Sequence, residues 1–199
     1  MINSGVILAG GLNSRMGGYP KGKLRLDGDH FVQRLERILS PKVNNVYYSI
    51  HREVPNCLPE DCNVIADDFP DVRASMNGVY SSLETLQAPT LIVPWDMPLV
   101  TDALLKKLLE RSTNSPKHGT FYRTEQGIEP FPGVYRPNML DSLKKRLSEG
   151  IFSLTELIAE LDVNEIRQFE PQDLSNSEWS VFWNINTPED YQKLKLQNQ

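Results

Sequence analysis

Short apolar runs alternate with amphipathic stretches through the first half of the chain. Ser4 to Ala9 is short and mostly apolar, and Gly10 and Gly11 close it, which predicts a buried strand. In His30 to Leu39 the apolar residues Phe31, Val32, Leu35, Ile38 and Leu39 keep a helical spacing that ends near Pro41. Val46 to Ile50 and Asn63 to Ala66 predict a second and a third strand, Val79 to Leu86 a helix, and Thr90 to Pro94 a fourth strand. Thr101 to Arg111 predicts a helix with Thr101 as its N-cap and Leu104, Leu105, Leu108 and Leu109 facing inward. Strands and helices alternating at this spacing predict βαβ units and a parallel sheet covered on both faces.

The second half is less regular. Thr120 to Arg123 and Pro132 to Tyr135 predict short strands around a turn at Gly127, and Met139 to Leu147 and Ser153 to Leu161 predict helices. Glu165 to Phe169 and Val181 to Ile185 are further strand candidates. A last helix has a clear start, with Thr187 as N-cap, Pro188 in the first turn, and Glu189 and Asp190 at the positive end of the dipole. The expectation is one α/β domain with a mixed sheet over residues 1–199.

Composition narrows the function. The chain has 199 residues with 39% AVILMFWYC, and its 12 glycines bring the apolar share into the globular range, which excludes disorder as the global state. No apolar run approaches the roughly 20 residues of a membrane span. The opening Met-Ile-Asn-Ser carries no basic n-region and no cleavage site, so a cytoplasmic location is expected. Cys57 and Cys62, the two cysteines, read as free thiols in a loop. A net charge of −5 argues against nucleic acid as a partner but leaves room for one nucleotide in a locally basic pocket.

In an open parallel sheet, ligands bind beyond the carboxyl ends of the strands. Directly after the first strand, Gly10, Gly11, Gly17, Gly18 and Gly22 are interleaved with Arg15, Lys21 and Lys23. Glycines let backbone N–H groups approach an anion, and the cations neutralise phosphate charge. Gly17-x-x-x-x-Gly22-Lys23 begins like a Walker A loop, but Leu24 stands where a Ser or Thr hydroxyl is needed, and no Gly-x-Gly-x-x-Gly follows a strand. Asp96, where the fourth strand ends, suits a magnesium ligand beside a phosphate. Asp67 and Asp68 follow the third strand, where a carboxylate meets a ribose or base, or opens a turn. Asn184 and Asn186 flank Ile185 and, on a strand, share one side of it. The three histidines are scattered; His51, just after the second strand, is placed to touch a ligand but reads more readily as a surface residue.

Together these residues form a set. Leu8-Ala9-Gly10-Gly11-x-x-Ser14-Arg15-Met16-Gly17, with Lys21 and Leu24, resembles the signature loop of nucleotidyltransferases with the nucleotide-diphospho-sugar-transferase fold. Trp95-Asp96-Met97-Pro98 resembles that family's metal-binding Cys-Asp-Met-Pro segment. Asn184-Ile185-Asn186-Thr187-Pro188-Glu189-Asp190 resembles the Asn-x-Asn-Thr-Pro-Glu-Asp close of the MobA-type molybdenum cofactor guanylyltransferases.

The resemblance implies a Rossmann-like three-layer α/β/α fold with a mostly parallel mixed sheet. It implies transfer of GMP from GTP to the phosphate of the molybdopterin cofactor, with release of pyrophosphate. Arg15, Lys21 and Asp96 would be catalytic, and Leu8, Ala9, Gly10, Gly11, Lys21, Asp67 and Asp96 would contact GTP. Asp96 would bind Mg2+, and Asn184 and Asn186 would contact the acceptor or a phosphate. The cofactor's delivering and receiving proteins would be transient partners. The chain departs from the family at Pro20 (usually Asp), at Ser49 (an Asn that helps bind the base) and at Ala74 to Gly78 (often Gly-Pro-Leu-Ala-Gly). Gly150-Ile151-Phe152 replaces a Gly-x-Arg segment. Two readings stay open beside the guanylyltransferase: a sister nucleotidyltransferase with another base or acceptor, and a nucleotide-binding homologue without turnover.

Overall fold

The apolar runs of the first half become the four parallel strands at one side of a seven-stranded sheet. The computed structural model describes residues 2–10, 21–52, 55, 57–167 and 180–197. In chain order the strands are β1 (Ser4–Leu8), β2 (Arg25–Leu26), β3 (Asp29–His30), β4 (Asn45–Ile50), β5 (Asn63–Ala66), β6 (Thr90–Pro94), β7 (Gly119–Thr124), β8 (Gly127–Tyr135) and β9 (Asn164–Ile166). The helices are α1 (Phe31–Leu39), α2 (Ser75–Leu86), α3 (Asp102–Ser112), α4 (Leu140–Glu149), α5 (Leu154–Glu160) and α6 (Pro188–Gln197).

The sheet runs β5-β4-β1-β6-β8-β7-β9. β5, β4, β1 and β6 are mutually parallel, β8 is antiparallel to both β6 and β7, and β9 is parallel to β7. The mostly parallel mixed sheet is therefore as expected. On one face α1 and α3 bury Val32, Leu35, Leu39, Leu104, Leu105 and Leu108 against Ile7, Tyr48, Leu91 and Val93. On the other, α2, α4 and α5 bury Met76, Val79, Leu83, Leu143, Leu157 and Ile158 against Val6, Ile65, Ile92 and Phe121. Strands buried on both faces need apolar side chains in both alternation phases, which explains their continuous apolar runs. Among the described residues no helix is long and apolar enough to cross a membrane. Cys57 and Cys62 are free thiols, each half-buried.

Several elements differ from the sequence expectation: β8 already begins at Gly127, and the short β2–β3 hairpin was not expected. Helix α2 begins at Ser75, four residues before the expected Val79, because buried polar side chains interrupt its apolar period. Asn77 is fully buried, and its amide donates to the carbonyls of Phe69 (2.7 Å) and Val72 (2.9 Å). The Ser81 hydroxyl accepts from the Asp68 N–H at 2.8 Å. These polar groups fasten the β5–α2 connection to the helix.

The expected strand Val181 to Ile185 is not a strand. Ser180–Phe182 forms a 3-10 turn and the residues that follow it belong to no strand. The apolar signal there comes from burial: Val181 and Phe182 join the α1–α3 core, and Ile185 enters a third cluster with Leu24, Leu26, Phe31, Leu99 and Leu194. Glu165 to Phe169 is strand only as part of β9, and Gln168 and Phe169 lie outside the described residues.

Helix α6 starts as its capping residues predict. The Thr187 hydroxyl accepts from the Asp190 N–H at 3.1 Å, and the Asp190 carboxylate accepts from the N–H groups of Asn186 (3.0 Å) and Thr187 (2.9 Å). The Ile185 N–H donates to the Asp96 carbonyl at 2.8 Å, which fastens this late segment to the end of β6. Ile185 is completely buried. Ile185→Ala is expected to lower stability by about 2–5 kcal/mol through the cavity it leaves. A urea titration reads this as a lower midpoint; an unchanged midpoint would mean that the third cluster does not hold the segment.

Candidate active site

A cavity of about 410 Å³ opens at the carboxyl ends of the parallel strands. Its wall is formed by Leu8, Gly10, Ser49, His51, Asp67, Arg73, Ala74, Ser75, Gly78, Pro94, Trp95, Asp96, Phe131, Asn184 and Asn186. Leu8, Gly10, Asp67, Asp96, Asn184 and Asn186, all expected from the sequence, thus meet in one pocket. Ala9 does not line it: its methyl is in the core and its N–H donates to the Ser49 carbonyl at 2.8 Å. Gly11 and Arg15, with Ser14, Met16 and Gly17 of the signature loop, lie outside the described residues.

One end of the pocket is organised by Lys21. Its ammonium donates to Asp96 Oδ2 at 2.8 Å and to Asn186 Oδ1 at 2.6 Å. Both charged side chains are largely removed from solvent, with 11% of Lys21 and 17% of Asp96 exposed. Gly22 explains how the lysine gets so close. A Cβ there would stand 2.7 Å from the Trp95 indole, so only glycine lets this segment lie against the β6 end. Asp96 Oδ1 is buried and has no hydrogen-bond partner. A carboxylate oxygen left bare in this way, beside an amide oxygen, fits a hard divalent cation. Among the described residues no three His, Cys, Asp or Glu side chains converge on a metal position, so such an ion would take its other ligands from substrate and water. Asn184 and Asn186 line the pocket from a segment that belongs to no strand, so strand alternation does not place them; the Ile185 N–H bond to the Asp96 carbonyl holds this segment at the site.

The other end is built by β4, β5 and α2. His51 is a correction to the sequence reading: its side chain is buried in the pocket wall, with Nδ1 at 3.1 Å from Asp67 Oδ2. A proton on Nδ1 makes this a hydrogen bond and leaves Nε2 as a lone pair; that nitrogen is buried without a partner. The Ser49 hydroxyl donates to Asp67 Oδ1 at a long 3.4 Å. Ser49 therefore faces the carboxylate and not the imidazole, which is the wrong order for an activated serine nucleophile. Burial pushes the Asp67 carboxyl above its ordinary range, and the hydrogen bonds from His51 and Ser49 pull it part of the way back. Gly78 makes this wall possible, because a Cβ there would meet the Ser49 hydroxyl at 2.7 Å and Leu8 Cδ2 at 3.0 Å. Neither the pairing of His51 with Asp67 nor the anchoring of the β5–α2 connection by Asn77 was expected. A histidine two residues past a strand's polar Ser49, at the ligand edge of a parallel sheet, was the available signal for the first.

Residues 5–164 match the family of MobA-like NTP transferase domains. The chain belongs to this family. It is 29% identical to the molybdenum cofactor guanylyltransferase of Vibrio cholerae serotype O1 over 191 residues, covering 94% of this chain and 88% of that one. It is also 29% identical to the molybdenum cofactor guanylyltransferase of Pseudomonas syringae pv. syringae, over 130 residues that span 65% of each chain. The crystal structure of molybdopterin-guanine dinucleotide biosynthesis protein A from Archaeoglobus fulgidus superposes with a TM-score of 0.77 at 20% identity, covering 98% of this chain and 97% of that one. That likeness shows the shared three-layer fold.

Two outcomes follow from the geometry. Lys21→Ala removes the donor shared by Asp96 and Asn186 and is expected to weaken nucleotide binding at least tenfold. Lys23→Ala, whose side chain makes no contact with this cluster, is expected to change it less than twofold; equilibrium titration with GTP compares them. The second outcome concerns pH. Because folding raises the Asp67 pKa above its free value of 3.8, the folded chain holds that proton more tightly, and stability falls as pH rises from 3.8 through the folded value. Asp67→Asn should therefore raise the thermal midpoint of the ligand-free protein at pH 7, and the gain should shrink toward pH 4. A gain independent of pH would assign it to packing instead.

Proposed function

We infer that this chain transfers GMP from GTP to the terminal phosphate of the molybdopterin cofactor and releases pyrophosphate. The observation that carries the reading is the Lys21–Asp96–Asn186 cluster at the end of β6 in a member of the MobA-like family. The relatives from Vibrio and Pseudomonas bear the name of that activity.

In the reaction an oxygen of the acceptor phosphate forms a bond to the α-phosphorus of GTP, and the bond from that phosphorus to the β-bridging oxygen breaks. The acceptor phosphate is already ionised at neutral pH, so the attack needs no strong general base. The pocket agrees: its one imidazole is committed to Asp67, and among the described residues no serine or cysteine side chain is hydrogen-bonded to an imidazole. What remains for the protein is positioning and neutralisation of charge.

Lys21 supplies a fixed positive charge for the triphosphate, and Gly10 lets the chain after β1 approach it without a side chain. Asp96 Oδ1 is the position from which a magnesium ion would be held, and such an ion supplies further charge neutralisation on the phosphates. Asn184, Asn186 and Phe131 form the side of the pocket open to the acceptor. At the opposite end, Asp67 accepts from the N1 and N2 donors of guanine. A pocket built on that acceptor leaves it unpaired when adenine enters, which disfavours ATP.

The test is pyrophosphate release with each of the four nucleoside triphosphates, magnesium and molybdopterin. GTP is expected to be the preferred donor, binding at least about tenfold more tightly than ATP or CTP (about 1.4 kcal/mol). Asp96→Asn is expected to keep the fold and lose turnover by at least about a hundredfold, several kcal/mol of transition-state stabilisation. A preference for CTP would move the chain to a sister activity, and substantial turnover by folded Asp96→Asn would remove Asp96 from the site.

A further inference from the structure

Among the described residues the pocket wall holds one arginine, Arg73. Arg73 is exposed to solvent where it borders the cavity, and its guanidinium makes no hydrogen bond or ion pair with the described residues. The neighbouring acidic Asp71 is bonded to Arg52 at 2.8 Å and so does not answer it. An arginine that lines a cavity with all five donors unused is available to a ligand.

Its place in the sheet says which part of the ligand. Asp96 ends β6, and Asp67 ends β5; between them stand β1 and β4. Three strand spacings separate the two ends, about 14 Å. That distance is of the order of a nucleotide's length, with phosphates at Lys21 and Asp96 and the base toward Asp67. Arg73 lies in the connection from β5 to α2 and therefore belongs to the base end, remote from the phosphates.

The backbone that carries it is also held still. The fully buried Asn77 donates to the carbonyl of Val72, the residue immediately before Arg73, and Asn77 N–H donates to the carbonyl of Ala74 immediately after it. An amide this deeply buried fixes the strap from both sides. The same Asn77 is one of the positions at which the chain departs from Gly-Pro-Leu-Ala-Gly, so the departure serves to hold the strap.

We propose that Arg73 reads the acceptor edge of guanine, donating to O6 and N7 while Asp67 accepts from N1 and N2. The planar fork of an arginine matches that pair of acceptors, and it meets a donor amine in place of O6 when the base is adenine. Two walls of opposite hydrogen-bonding sense then select one base, attraction on both and repulsion for adenine on one. This rests on the reading of the pocket as a guanine-nucleotide site.

The experiment measures equilibrium binding of GTP, 7-deaza-GTP and ATP, in magnesium, to the wild-type protein and to Arg73→Ala and Arg73→Lys. Since Arg73 has no intramolecular partner, both variants should fold, which their thermal midpoints check. The wild type is expected to bind 7-deaza-GTP about tenfold more weakly than GTP, because N7 is gone. Arg73→Ala should bind GTP at least tenfold more weakly, leave ATP unchanged or improved, and no longer distinguish GTP from 7-deaza-GTP. Arg73→Lys should recover part of the GTP affinity without the fork's discrimination against ATP. Unchanged GTP affinity in Arg73→Ala overturns the proposal. So does an equal loss for all three nucleotides, which would make Arg73 a general phosphate cation, or a loss of acceptor affinity alone. A wild type that does not prefer GTP would instead overturn the guanylyl reading on which the proposal stands.

Discussion

The ammonium of Lys21, shared between Asp96 and Asn186, joins three parts of the chain that are 75 and 165 positions apart. Partly buried charges are expensive to desolvate unless their partners are held in good geometry. Here the geometry comes from the core. Gly22 lies flat against Trp95, Trp95 N–H extends the pairing of β6 with β1 by donating to the Leu8 carbonyl, and Ile185 anchors the late segment to the Asp96 carbonyl. The ionic cluster is thus the visible tip of apolar packing beneath it, and each of the three segments needs the others in order to place its polar group.

The parallel half of the sheet then sets distances along the pocket. Each of β5, β4, β1 and β6 delivers its chain to the same edge, so polar residues that follow the strands line up at strand spacing. Two buried polar atoms on that line, Asp96 Oδ1 and His51 Nε2, have no partner within the protein. Folding leaves few such atoms unpaired, and where it does the deficit is commonly made good by a ligand. Their location at opposite ends matches a ligand with a charged end and a hydrogen-bonding end. Burial of Asp67 works the same way, since the raised affinity for a proton is also a raised demand for a donor.

Local pattern made much of this legible. Continuous apolar runs identified β1 and β6 because a strand covered on both faces has no polar phase, and shorter apolar runs identified β4 and β5 toward the sheet edge. Capping chemistry located α3 and α6, where Thr101 and Thr187 accept from Leu104 and Asp190. Lys21, Asp67 and Asp96 were recognisable because each follows a strand or a glycine-rich turn, the places where a parallel sheet meets its ligand. The segment from Val181 to Ile185 misled for a physical reason. Burial calls for apolar side chains whether or not the backbone is paired, so alternation there reported the core and not a ladder.

Residue order alone therefore determined the kind and order of most elements and which polar residues follow the strands, since these depend on periods of two and 3.6 and on short-range capping. Which side chains share a wall was decided by tertiary structure. His51 became a pocket residue only because β5 pairs beside β4 and brings Asp67 to it. Arg73 became an unanswered cation because Asn77 draws the β5–α2 connection onto the helix while Arg52 takes Asp71. Such pairings depend on which strands lie side by side and on how a loop is buried, and no local period carries that information.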